Sequence, residues 1–182
     1  MNPQHDTDTR RLGRTMGFLA TVAFLGLGWV SFHGVIERRD HPNRNLVVEP
    51  GASELVLRRD RAGHYRFPGR INGRPVRFLL DTGATHVAVP AHLAEALQLA
   101  PGARSTAVTA NGTVSVRETA IGELGFGPFR LTGVRGHLNP GMKEDEVLLG
   151  MSVLKHLDFA QRGDVLVLRP VQPASSTRDE RT

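Results

Sequence analysis

The sequence predicts an all-β domain, mainly antiparallel, with one or two short helices, behind one N-terminal transmembrane helix. Three observations carry that reading. Short apolar runs recur from about Ser53 to Pro170, each bounded by turn residues. Two Asn-Gly pairs, Asn72-Gly73 and Asn111-Gly112, stand between such runs where a hairpin needs residues that accept positive φ. The stretch 15–36 contains no Asp, Glu, Lys or Arg.

Taken in order, residues 1–14 form a polar tail, and 15–36 the apolar stretch. At about 1.5 Å per residue that stretch would cross a hydrocarbon core of about 30 Å. Trp29 and His33 suit an interface at its far end. Gly26-Leu27-Gly28 is the best small-x-small cleavage candidate and a poor one, so an uncleaved anchor is preferred to a signal peptide. Arginines flank both sides (Arg10, Arg11 and Arg14; Arg38, Arg39 and Arg44), so charge does not set the orientation. The simpler topology leaves the short tail inside and sends the domain across. Residues 37–52 read as a linker, 53–170 as the folded domain, and 171–182 as a disordered polar tail.

Within the domain, Leu55-Val56-Leu57 opens the strands. His64 to Phe67 leads towards Ile71, and Asn72-Gly73 turns the chain. Val76, Phe78 and Leu80 then alternate as on a half-buried strand. Pro90 opens a helix predicted over Ala91 to Leu99, with Leu93, Leu97 and Ala94 inward. Runs 107–110 and 113–116 flank Asn111-Gly112. Further strands are expected at 119–124, 129–134, 147–149 and 165–168, and a helical turn or two between Met151 and Leu157. No internal repeat is visible, so the chain does not hold two copies of one lobe.

Composition excludes several chemistries. The 182 residues include no cysteine, which removes disulfides, thiol catalysis and cysteine-ligated zinc. The formal charge is +5, but the arginines are scattered and aromatics are few, so a solvated basic surface is preferred to nucleic-acid binding. The eight histidines show no ligand spacing: His86 and His92 straddle a strand end and a helix start, and His5, His33, His41, His64, His137 and His156 are scattered. No metal and no cofactor is expected. Lys143-Glu144-Asp145-Glu146 reads as a solvated loop. No Gly-Lys-Ser or Gly-Lys-Thr follows Gly122, Gly125 and Gly127, and neither Ser105 nor Ser152 lies in a nucleophile elbow.

The chemistry-bearing stretch is Leu79-Leu80-Asp81-Thr82-Gly83-Ala84-Thr85, an acid, a hydroxyl residue and a glycine between two apolar runs. It presents one carboxylate at a tight turn on a sheet. Hydrolysis of a peptide bond needs an activated water and a polarised carbonyl. Two carboxylates sharing a proton supply both, the ionised one as base and the protonated one as acid. The chain has one such turn, so a pair requires a second chain, most simply across a two-fold axis.

The segment from Gly69 to Thr85 resembles the retropepsin-like aspartic proteases of bacteria, single-lobe relatives of the retroviral enzymes. Thr109-Ala110-Asn111-Gly112 is similar to a segment of the membrane-anchored subgroup. Val147-Leu148-Leu149-Gly150-Met151-Ser152-Val153-Leu154 resembles the apolar-apolar-glycine motif and short helix of the clan. The resemblance covers about residues 64 to 170. It implies a closed, barrel-like acid-protease lobe and an aspartic endopeptidase acting as a homodimer on peptides or proteins. Asp81 is then the catalytic acid. Thr82 would bond across the axis, Gly83 would support the carboxylates, and Ala84 sits where alanine or a hydroxyl residue is common. Leu148, Leu149 and Gly150 would pack on the catalytic turn, and Ala110, Asn111 and Gly112 would tip a flap over substrate. The same resemblance implies a single-pass protein of the bacterial inner membrane, its domain on the periplasmic side. The other reading is a membrane-anchored module of the same fold that binds extended peptides or a protein with little turnover.

Overall fold

A computed structural model describes residues 20–27, 29, 41–46, 51–109 and 112–171. The chain divides into two units, 1–40 and 41–182. In the first, residues 20–27 and 29 are helical. Among the described residues no helix is long and apolar enough to cross a membrane. This overturns the expected anchor over 15–36, and with it the membrane as a partner and the single-pass inner-membrane, periplasmic placement. The remaining residues of 15–36 lie outside those described.

The described residues of the second unit form ten strands: β1 Leu55–Arg58, β2 Arg66–Ile71, β3 Arg74–Leu80, β4 Val87–Pro90, β5 Arg104–Thr109, β6 Gly112–Phe126, β7 Phe129–Asn139, β8 Glu146–Leu149, β9 Leu157–Arg162 and β10 Val165–Pro170. A 3₁₀ turn, Ala91–Leu93, and a short helix, Met151–Leu154, complete it. The main sheet runs β2-β3-β8-β4-β7-β6-β5, and β2 also pairs with β6 at Arg70↔Gly125 and Ile71↔Leu124. That pairing closes a six-stranded barrel and leaves β5 as the outer arm of a hairpin. The mostly-β closed barrel is thus as expected. Two pairings are parallel, β3 with β8 and β4 with β7, and they bring distant chain segments to one end. A separate sheet, β1-β10-β9, is antiparallel.

Local chemistry explains the turns and the core. Asn72 (φ 48) and Gly73 (φ 77) both take the left-handed region, as a two-residue hairpin between β2 and β3 demands. The Asn72 amide also accepts from Glu123 N–H and donates to the Leu97 carbonyl. The barrel core gathers fully buried Phe67, Phe78, Ile71, Val87, Val89, Ile121, Leu124 and Leu149. Phe78 is central: its ring lies 5.8 Å from Phe67 and 6.0 Å from Phe126. Its ring edge lies against Gly69, where a Cβ would collide with it. Phe78→Ala is expected to cost about 3–5 kcal/mol, through lost burial and the cavity left behind. Urea unfolding should show this as a lower midpoint at unchanged m-value.

Four sequence expectations are corrected. The helix over 91–99 is a single 3₁₀ turn followed by turns, because Gln98 adopts φ 56 and Leu97 and Leu99 turn into the core. Runs 113–116 and 119–124 are one 15-residue strand, β6. In the β5–β6 hairpin Gly112 pairs with Thr109, so it belongs to β6 and not to the turn between the strands. Glu146 is no solvated loop residue: it opens β8 with its side chain mostly buried and bonds Arg66 Nε at 3.0 Å.

Candidate active site

Asp81 follows β3 directly. The parallel register places Leu80 beside Leu149, and Asp81 N–H donates to the Leu149 carbonyl at 3.2 Å. The chain then turns: Ala84 N–H donates to Asp81 O at 3.3 Å, and Gly83 N–H donates to the Asp81 carboxylate, Oδ1, at 2.9 Å. A Cβ on Gly83 would sit 3.2 Å from that same oxygen. The glycine thus lets the backbone amide approach the acid and fix the side chain within the turn. Asp81 and Ala84 are half-buried, whereas Thr82 and Gly83 are exposed.

The turn is cross-linked to the segment after β8. Met151 N–H donates to Ala84 O and Ser152 N–H to Thr85 O, both at 2.8 Å. Gly150 fits where no side chain can: a Cβ there would lie 2.6 Å from the Ala84 carbonyl and closer still to that of His86. Val153 and Leu154 anchor the helix that follows in the core. Asp81, Thr82, Gly83, Ala84, Leu149 and Gly150, which come from two distant stretches of sequence, are therefore one structural unit. Leu148 is half-buried, on the opposite sheet face from Leu149 and paired with Leu79 and Ala88.

Of the flap residues, Ala110 and Asn111 lie outside the described residues. Gly112 begins β6 at φ 105, and its carbonyl accepts from the Thr109 hydroxyl at 2.8 Å. Val108, beside the tip, is 86% exposed, an apolar side chain left to solvent at the end of the hairpin.

An ionic network braces the strands that carry the turn. Arg66 on β2 bonds Asp60 and Glu146, and Glu146 also lies 3.7 Å from Arg77 on β3. Burial would push the Asp60 carboxyl up, but the His64 N–H and the Arg66 guanidinium outweigh it and hold the group below its ordinary value. Asn43 adds a second brace: its amide exchanges bonds with Arg58 N–H and O and donates to Arg66 O, at 2.7–2.9 Å. Neither brace has a periodic or motif signature, so sequence reasoning missed both.

Sequence reasoning also missed a histidine contact. His86 and His137 meet with ring centroids 4.7 Å apart at 67°. Parallel pairing of β4 with β7 sets Ala88 beside His137 and so brings His86 to it; no local spacing could reveal this. His86 Nδ1 and Ser152 Oγ are buried without a hydrogen-bond partner among the described residues. Ser152→Ala is expected to be neutral or stabilising, within about 1 kcal/mol, because it removes a desolvated hydroxyl. Thermal unfolding checks it. Among the described residues no group of three or more His, Asp or Glu is placed to hold a metal ion.

Comparison with known proteins agrees with this geometry. Residues 67–156 match the family model described as "gag-polyprotein putative aspartyl protease". An uncharacterized protein in the cobV 5′ region of a Sinorhizobium species is 31% identical over 134 residues, 70% of this chain; the match spans only 58% of that protein's length. The crystal structure of a retropepsin-like aspartic protease from Rickettsia conorii superposes with a TM-score of 0.55 at 28% identity, covering 64% of this chain and 90% of that one. An EIAV protease complexed with an inhibitor gives 0.41 at 19% identity, over 50% of this chain and 84% of that one. The domain has a retropepsin-like fold of the aspartic-protease clan.

Proposed function

We propose that this chain is an aspartic endopeptidase whose active site forms between two copies, each donating Asp81. The observation that carries the reading is the single Asp81-Thr82-Gly83 turn, rigidly held at the end of β3 with Gly83 N–H on the acid. One lobe has one such turn, and the shared-proton mechanism needs two acids. In the dimer, one carboxylate takes a proton from water while the other, protonated, donates to the scissile carbonyl. The pair titrates as a unit. Thr82 and Gly83, exposed in the single chain, are the residues a two-fold axis would cover, with Thr82 bonding across it. Ala84, Leu149 and Gly150 keep the turn in place, and the hairpin tip Ala110, Asn111 and Gly112 closes over an extended peptide. Residues 53–170 form the protease domain.

The test is digestion of a peptide library by the full-length chain over acidic to neutral pH, with sedimentation measured in parallel. Cleavage whose rate per chain falls on dilution through the dimer dissociation range is the expected result. Uncut peptides at every pH would leave a peptide-binding module of the same fold. Undiminished cleavage by a strictly monomeric sample would overturn the shared site.

A further inference from the structure

We propose that His86 and His137 are positioning residues for the catalytic turn: packed ring on ring while uncharged, they hold segment 84–86 on segment 150–152, and charging both drives the two apart. The catalytic consequence rests on the protease reading; the structural one does not.

The geometry that points to this is local and connected. His86 lies two residues beyond Ala84, whose carbonyl accepts Met151 N–H, and one beyond Thr85, whose carbonyl accepts Ser152 N–H. The His86 carbonyl itself faces Gly150 at a distance that leaves no room for a side chain. Its ring is in edge contact with His137, and its Nδ1 is buried with no partner among the described residues. That nitrogen thus faces no acceptor among the described residues, and the ring lies edge-on to another imidazole.

The charged groups acting on His137 are His86 and, opposite it in the β6–β7 register, Glu118. The helix Met151–Leu154 packs on β4 and β7 and brings only the Ser152 hydroxyl as a polar side chain. From β8, Leu148 lies opposite Ala88. Burial, then His86, lower the affinity of His137 for a proton; Glu118 opposes them, and the net direction is down from 6.5. A histidine whose folded value is depressed stabilises the fold above its unfolded value, about 6.5, and loses that contribution as pH falls through the folded value. The interlock between the two segments therefore weakens below neutral pH. Because Leu149, next to Gly150, holds Asp81 N–H, the weakening reaches the catalytic acid.

The experiment follows hydrogen exchange of the Met151 and Ser152 amides against pH in the full-length chain, corrected for intrinsic exchange. It is run beside the pH profile of kcat for a cleaved peptide. In the wild type, protection of both amides and kcat are expected to fall together below the histidine range. The loss in kcat should be about tenfold per pH unit, with KM little changed. In His137→Asn, which cannot titrate, both limbs should move at least about one pH unit lower. His86→Asn, which removes the neighbour that lowers the proton affinity of His137, should instead move both limbs to higher pH, and it serves if the first variant fails to fold. Amide protection and an acid limb that keep their midpoints in a folded variant would overturn the pair's role. If neither variant folds, wild-type protection that is flat from neutral pH to below the histidine range would overturn it. A wild type that cleaves nothing refutes the protease reading and leaves the amide measurement to decide this one.

Discussion

Asp81→Asn is expected to remove peptide cleavage, by at least about 10³-fold in kcat/KM, while the domain keeps its fold. The substitution is nearly isosteric, and an amide oxygen in place of Oδ1 can still accept the Gly83 N–H that closes the turn. The Asp81 backbone bonds to Leu149 and Ala84 do not involve the side chain. What disappears is the shared proton: two amides can neither take a proton from water nor give one to the carbonyl. Unfolding midpoints within about 1 kcal/mol of wild type are the control for an intact turn. Mixing gives the sharper result. If the site is built from two chains that exchange partners, a tenfold excess of Asp81→Asn should trap most wild-type chains in mixed dimers. Wild-type activity should then fall about tenfold. Activity that survives the excess, after time for exchange, would place the whole site in one chain.

Much of the barrel is legible in the sequence because its rules are local. Asn72-Gly73 marks a hairpin since both residues accept positive φ, and the structure uses both. Val147 and Leu149 are buried on β8, while Leu148 between them is half-buried, the period-2 pattern of a strand. The losses have long-range causes. The 91–99 segment has helical spacing, yet the Asn72 amide takes the Leu97 carbonyl and Leu99 N–H closes on Ala94 O, which fixes irregular turns. Strand β9 shows no alternation, since every residue after Leu157 is exposed; it exists because Gly163, at φ 58, folds it back on β10. The apolar run after Arg14 met a composition rule for a membrane span. Among the described residues, however, no helix is long and apolar enough to cross a membrane. In the site, the Asp81 turn is readable as a motif, whereas its coupling to Gly150 and to the histidine pair is set by two parallel pairings.

That coupling makes Gly150→Ala a strongly damaging single-methyl change. The substitution demands no unusual dihedral, because φ at Gly150 is −90° and ψ −175°, an extended conformation open to any residue. The penalty is steric and falls on backbone. A Cβ would lie 2.6 Å from the Ala84 carbonyl, with the His86 carbonyl nearer still, and neither can rotate away as a side chain would. Relief requires segment 84–86 to separate from 150–152, which breaks the Met151 to Ala84 and Ser152 to Thr85 bonds together. A loss on the order of 3 kcal/mol follows from overpacking and two broken bonds. Because Asp81 N–H rests on the residue before Gly150, displacement of the acid should reduce kcat about 10²-fold even where the protein remains folded. Ser152→Ala is the matched control, since it alters the same segment and leaves every backbone bond in place. If Gly150→Ala were as stable and as active as Ser152→Ala, the interlock would not be what fixes the position of Asp81.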